Sequence, residues 1–337
     1  MSMTQIKRYD EYEIKNLKNW FGQKNVCFAS NTLDWRPNSL FMKSYSFYEP
    51  VIDKEHFNFV AVNGSNRIYG YGAFISLLEE ILYKKTTIKR KCDYLVYIDE
   101  DCFITDLFAL KDVVEDFILK DRAFAGCRDG GVLCHRNHNG YCINTFFTIF
   151  NIKQLKEMFP KTREEFQRVV NEEISKCTWK SFKESVSNEM WRTIENEKGV
   201  NDFFVKTRRE SFGEPKYCET VRNDLTNPVE PHQIPYSSKE DDFEPYYKLF
   251  LWIMLHSGKP YYFVGSDVWK DHEGNEIDNL GGICSGLYFP EVADSPFCYH
   301  AWFARAYDPD GNSNHPVVKK HTKRINQIFD YVNNQKL

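Results

Sequence analysis

The chain has none of the glycine-rich loops that cradle phosphate. No GxGxxG follows an apolar run, no GxxxxGK[ST] occurs, and Gly70-Tyr71-Gly72 supplies only the first half of a dinucleotide fingerprint. A nucleotide bound here would need another grip on its phosphates, and a metal bridge is the natural one. GxSxG, the elbow of serine hydrolases, is missing as well. So is CxxC: the ten cysteines are scattered and several sit in apolar runs, as Cys27 and Cys92 do, so reduced core thiols are expected rather than disulfides. There is no basic excess. The formal net charge is −4 and the pI about 6.2, which leaves no overall footprint for tight nonspecific nucleic-acid binding. Long apolar runs are also lacking, since the longest, Leu249 to Leu255, is far short of the roughly 18 residues of a membrane span. The first twenty residues, MSMTQIKRYDEYEIKNLKNW, have no apolar signal core. These absences together lead us to expect a soluble, cytoplasmic protein.

What is present is apolar bulk in a regular order. Of the 337 residues 42% are hydrophobic and 16% aromatic, enough for a sizeable core. Asn25 to Ser30 and Phe57 to Val62 read as strands with polar ends. Tyr71, Phe74, Ile75, Leu78, Ile81 and Leu82 recur at helical spacing, as do Leu107, Leu110, Val113, Val114 and Phe117. Between these helices lies the strand-like run from Tyr94 to Ile98. Ala123 to Gly126 and Ile143 to Phe150 are further strands, followed by a short helix closed by Pro160. Such alternation predicts an α/β fold: a Rossmann-like, mostly parallel sheet with helices on both faces. Phe166, Val169, Val170, Ile174 and Cys177 predict a helical insertion, irregular towards its end, over about residues 160–235 of a single 1–337 domain. Asp241 to His256 reads as a helix and Pro260 to Gly265 as a strand. Residues 265–315 read as ligand-binding loops, and Ile325, Ile328, Phe329 and Val332 mark a C-terminal helix within 316–337.

The run from Tyr94 to Ile98 stops at Asp99-Glu100-Asp101. On an extended chain alternate side chains share a side, so Asp99 and Asp101 are expected to point the same way. Two carboxylates at the end of a strand suit Mg²⁺ or Mn²⁺ that also holds a substrate phosphate, and ligands of open α/β sheets bind at that edge.

A hydrophobic strand ending in D-x-D, about seventy residues after a first strand with a polar end, resembles the GT-A class of nucleotide-sugar glycosyltransferases. The resemblance covers roughly residues 24 to 151 and 237 to 305. It implies Asp99 and Asp101 as ligands of Mn²⁺ or Mg²⁺ on the donor diphosphate, with a UDP-sugar first among donors. It implies a further metal ligand near the end of the catalytic domain, best matched by His300, with Arg305 offsetting charge on the leaving diphosphate. Asp241 and Asp242 match the acidic helix start that deprotonates the acceptor hydroxyl in inverting members. Ser30, Asn31 and Thr32 match the base-contacting end of the first strand, and Arg67 could meet a phosphate. Asp129-Gly130-Gly131 and Asn144-Thr145 fall where the donor sugar is contacted. Trp269, Asp271, His272 and residues 281–286 fall on the acceptor side.

Each feature has a plainer explanation: a hydrogen-bonded core histidine for His300, and a helix N-terminus favoured by its dipole for Asp241 and Asp242. Cys127, Cys134, His135, His138 and Cys142 hold enough soft donors for zinc, at spacings unlike the usual zinc patterns. The expected activity is metal-dependent transfer of a sugar from a nucleotide diphosphate to a hydroxyl, with a surface glycan as the first choice of acceptor. Alternatives are transfer to modified bases of phage DNA, using Lys176, Lys180, Lys183 and Arg192 as a basic face, a D-x-D phosphatase, a nucleotidyltransferase, or a non-catalytic binding module.

Overall fold

The computed structural model describes residues 9–32, 34–55, 58–63, 71–83, 91–128, 142–190, 246–257, 260–267, 285–288, 297–302 and 304–334. In chain order the elements are α1 (Glu11–Gln23), β1 (Val26–Thr32), α2 (Leu40–Tyr48), β2 (Phe59–Asn63), α3 (Tyr71–Tyr83), β3 (Tyr94–Ile98) and β4 (Cys102–Ile104). Then come α4 (Leu107–Leu119), β5 (Phe124–Arg128), β6 (Ile143–Asn151), α5 (Ile152–Met158), α6 (Arg163–Glu172) and α7 (Trp179–Ser185). The last are α8 (Tyr247–Ser257), β7 (Pro260–Asp267), β8 (Ser285–Tyr288), β9 (Cys298–His300) and α9 (Pro316–Asn334).

The strands lie in the order β2-β1-β3-β6-β5-β7-β8-β9-β4. β1 pairs in parallel with β2 and β3, and β5 in parallel with β7. β6 runs antiparallel to both neighbours, so β2, β1, β3, β5 and β7 share one direction around a single reversed strand. β6 pairs antiparallel with β5, the strand before it in the chain, and with β3 on its other side. The far half of β7 leaves this sheet and pairs with β8, starting an antiparallel arm of β8, β9 and β4. The expected loops between 265 and 315 therefore contain strands: β7 extends to Asp267, and β8 and β9 lie wholly inside that range.

Two cores cover the sheet. Val96 and Ile98 of β3 enter one core with α1, α2, α4 and α9, while Leu95 and Tyr97 enter the other with α3, α5, α6, α7 and α8. Val26 and Phe28 of β1 divide from Cys27 and Ala29 in the same way. A period of two with both faces apolar produces unbroken runs such as YLVYI. On the second face Phe74, Phe150 and Phe250 meet, with Phe150 and Phe250 stacked at 6.2 Å and 10°.

The helices α6 and α7 occupy the start of the expected insertion. Phe166, Val169, Val170, Ile174, Cys177, Trp179 and Phe182 are buried in the same core as Phe124, Phe150 and α8. α6 is tied to α3 by the buried Glu79, which accepts from Arg163 Nε at 2.7 Å and Gln167 Nε2 at 2.7 Å. Residues 191–245 lie outside the described residues, and with them the rest of the expected insertion to about 235 and the start of the helix expected from Asp241. No described helix is long and apolar enough to cross a membrane.

Candidate metal centre

β3 ends at Ile98, and the chain then turns. The Cys102 N–H donates to the Asp99 carbonyl at 3.1 Å, closing a turn over Asp99–Cys102 that leads into β4. The expected alternation of Asp99 and Asp101 along an extended strand is therefore corrected: a turn, not a pleat, presents the acidic residues. The turn sends the three side chains to different partners. Asp99 Oδ1 accepts from the phenol of Tyr97 at 2.7 Å, and its N–H donates to Phe146 O at 2.8 Å. The Glu100 carboxylate accepts from Thr32 Oγ1 at 2.6 Å, tying the turn to the end of β1. Asp101 faces β9.

His300 reaches Asp101 through the antiparallel arm. Cys102 and His300 are partners in the β4–β9 ladder, and the Ala301 N–H donates to Asp101 O at 2.9 Å. His300 Nε2 then lies 3.1 Å from Asp101 Oδ1, and both residues are only 4% exposed. The imidazole is stacked on Phe146 at 4.2 Å and 15°, with the Trp302 ring at 4.1 Å. His300 Nδ1 is buried with no hydrogen-bond partner among the described residues.

Burial and neighbouring charge set the acidities. Burial pushes the Asp101 carboxyl up, but the charge and hydrogen bond of His300 outweigh it and hold the group below the usual carboxylate range. Burial, then the Asp101 charge, push Asp99 up, against the Tyr97 hydrogen bond. Burial pushes Glu100 up to about 7 despite its bond from Thr32. The Cys102 thiol is driven well above its ordinary value by burial and by its neighbour Cys298.

The donor set fits a divalent ion. Ligand atoms of Asp101, Cys102 and His300 lie within 4.8 Å of one another. The 3.1 Å between Nε2 and Oδ1 is close to the separation of adjacent corners of an octahedron with bonds of about 2.1 Å. The Cys102 thiol donates to Phe146 O at 3.3 Å and is a poor partner for a hard ion. Asp99, the other expected ligand, is not among the atoms gathered there, and its Oδ1 is taken up by the Tyr97 phenol. A carboxylate with an imidazole suits Mn²⁺ better than Mg²⁺.

The other expected site residues fall as follows. Ser30 is fully buried, Thr32 is buried with its hydroxyl on Glu100, and Asn31 is partly exposed with a buried Oδ1 lacking a partner among the described residues. Asn144 and Thr145 are buried in β6. Arg305 lies in the 3₁₀ turn Ala304–Ala306, and its side chain is outside the description. Arg67, Asp241 and Asp242 lie outside the described residues, as do Asp129, Gly130, Gly131, Trp269, Asp271, His272 and residues 281–284. Cys127 and Cys142 are buried, while Cys134, His135 and His138 lie outside. Lys176 and Lys180 are exposed and Arg192 lies outside.

Sequence reasoning missed Tyr97, Phe146, Trp302 and Arg324, which surround the cluster. Tyr97 had a readable signal, since it precedes Asp99 by two. Arg324 had one too: it stands four residues before Ile328 and eight before Val332, on the apolar stripe of α9.

No family model matches the chain, and no curated protein matches it.

Proposed function

We propose that the protein is a metal-dependent glycosyltransferase of GT-A type that takes its sugar from a nucleotide diphosphate, with Mn²⁺ held by Asp101, Asp99 and His300. One observation carries the reading: Asp101 and His300, about two hundred residues apart in sequence, meet at 3.1 Å just past the carboxyl end of β3. That edge is where open α/β sheets bind ligands, and the missing phosphate loops leave a metal as the means of holding a diphosphate. The shared direction of β2, β1, β3, β5 and β7 supports the same fold reading.

When bound, the ion offsets the charge that gathers on the diphosphate as its bond to the sugar breaks. Tyr97 aims Asp99 from behind, Thr32 holds Glu100 against β1, and Phe146 and Trp302 fix the plane of His300. In an inverting reaction the acceptor hydroxyl would form its bond to the anomeric carbon and give its proton to Asp241 or Asp242. The donor is a UDP-sugar and the acceptor a glycan hydroxyl in this proposal.

The test is a panel of nucleotide sugars assayed for nucleotide-diphosphate release with and without Mn²⁺. Metal-dependent release with one donor, lost in Asp101→Asn, supports the reading. A panel with no turnover and no Mn²⁺ uptake refutes it.

A further inference from the structure

Trp302 has φ of 57°, in the left-handed region. A bulky side chain is rarely found there, and such strain persists only where the surroundings enforce it. The residue follows His300 by two, and its ring lies against the imidazole at 4.1 Å. A contact from the last helix holds the carbonyl of this turn. Arg324 of α9 has no solvent exposure, and its NH2 donates to the Trp302 carbonyl at 2.7 Å. It stands among Ile325, Ile328 and Val332, which are equally buried. A buried guanidinium is costly unless paired, so its place on an apolar stripe calls for a specific role.

We propose that Arg324 is the positioning residue of the metal centre: by clamping the Trp302 carbonyl it fixes the left-handed turn that sets His300 beside Asp101. The clamp stands on geometry alone. Its consequence for metal affinity rests on the proposed metal centre. Arg324 touches neither ion nor substrate and acts through the backbone of Trp302.

Two readouts test this in the full-length protein. The first needs no metal. The His300 ring protons lie over Phe146 and beside Trp302, so ring currents shift their NMR signals, and in Arg324→Met those signals should move towards solvent values while circular dichroism stays native. Arg324→Gln, which retains an N–H donor for the carbonyl, should hold them near wild type. Unmoved signals in a folded Arg324→Met overturn the clamp. The second readout is Mn²⁺ affinity, expected to fall about 10- to 100-fold in Arg324→Met, the usual effect of losing a supporting contact around a metal ligand. Glycine adopts positive φ without strain, so in a Trp302→Gly background the same substitution should weaken binding less, by a margin well beyond the roughly twofold within which independent sites add. Strict additivity overturns the clamp. If Arg324→Met does not fold, wild type decides: a guanidinium held on the Trp302 carbonyl should give an Arg324 Nη–H signal protected from solvent exchange, and a signal exchanging as fast as that of an exposed arginine also overturns the clamp. If wild type takes up no Mn²⁺, the metal centre fails while the NMR comparison still decides the clamp.

Discussion

Asp99, Glu100 and Asp101 are consecutive, yet their environments separate them chemically. Asp101 is kept ionised by His300, whereas burial raises Asp99 and Glu100. For Glu100 the folded protein holds its proton more tightly than the unfolded chain, whose value is near 4.5. Its contribution to stability is therefore full below pH 4.5 and is lost as pH rises through about 7. In metal-free protein, the melting temperature of wild type relative to Glu100→Gln should fall across that window, and a flat difference would contradict the assignment. Tyr97→Phe removes the donor behind Asp99. It should lower stability by about 1 kcal/mol in urea unfolding and weaken Mn²⁺ binding, because the carboxylate loses its aim. At this scale the pairing of Asp101 with a distant His300 was legible as candidates, since D-x-D and a late histidine are patterns of residue type. Their geometry was not legible. An i, i+2 spacing reads as strand alternation until the Cys102 N–H to Asp99 O bond turns the chain.

Among elements, the alternation of apolar runs and helical spacings placed β1, β2, α3, β3, α4, β5, β6, α5 and α9 within a few residues of their observed bounds. Those segments were legible because each buries a continuous face. α1 was not, because only Leu17, Phe21 and Gly22 are buried along its 13 residues. β4 and β9 are three residues each, too short for any period to register, and they are what bring His300 to Asp101. The reversed direction of β6 was also hidden, since a strand buried on both faces reads alike either way. Phe150 joins that strand to α3 and α8 through Phe74 and Phe250. Phe150→Ala should lower stability by about 3–5 kcal/mol in denaturant unfolding, the usual range for a large buried aromatic. A loss below about 1 kcal/mol would mean that this face is loosely packed.

Across the whole molecule the candidate site is a meeting of distant segments. The end of β1, the turn after β3, the start of β6, the arm strand β9 and the helix α9 each contribute at least one side chain to it. Such a site exists only in the folded chain, so an ion bound there stabilises the fold. Mn²⁺ at one hundred times its dissociation constant should add about 2.7 kcal/mol, reversed by chelation. Metal binding at Asp101 is read directly by an electron paramagnetic resonance titration of Mn²⁺ into wild type and Asp101→Asn, with and without UDP. Wild type should deplete the free Mn²⁺ signal at one site, more tightly with UDP present, and Asp101→Asn should leave it in solution. Equal uptake by both proteins, or none by either, would contradict metal binding there.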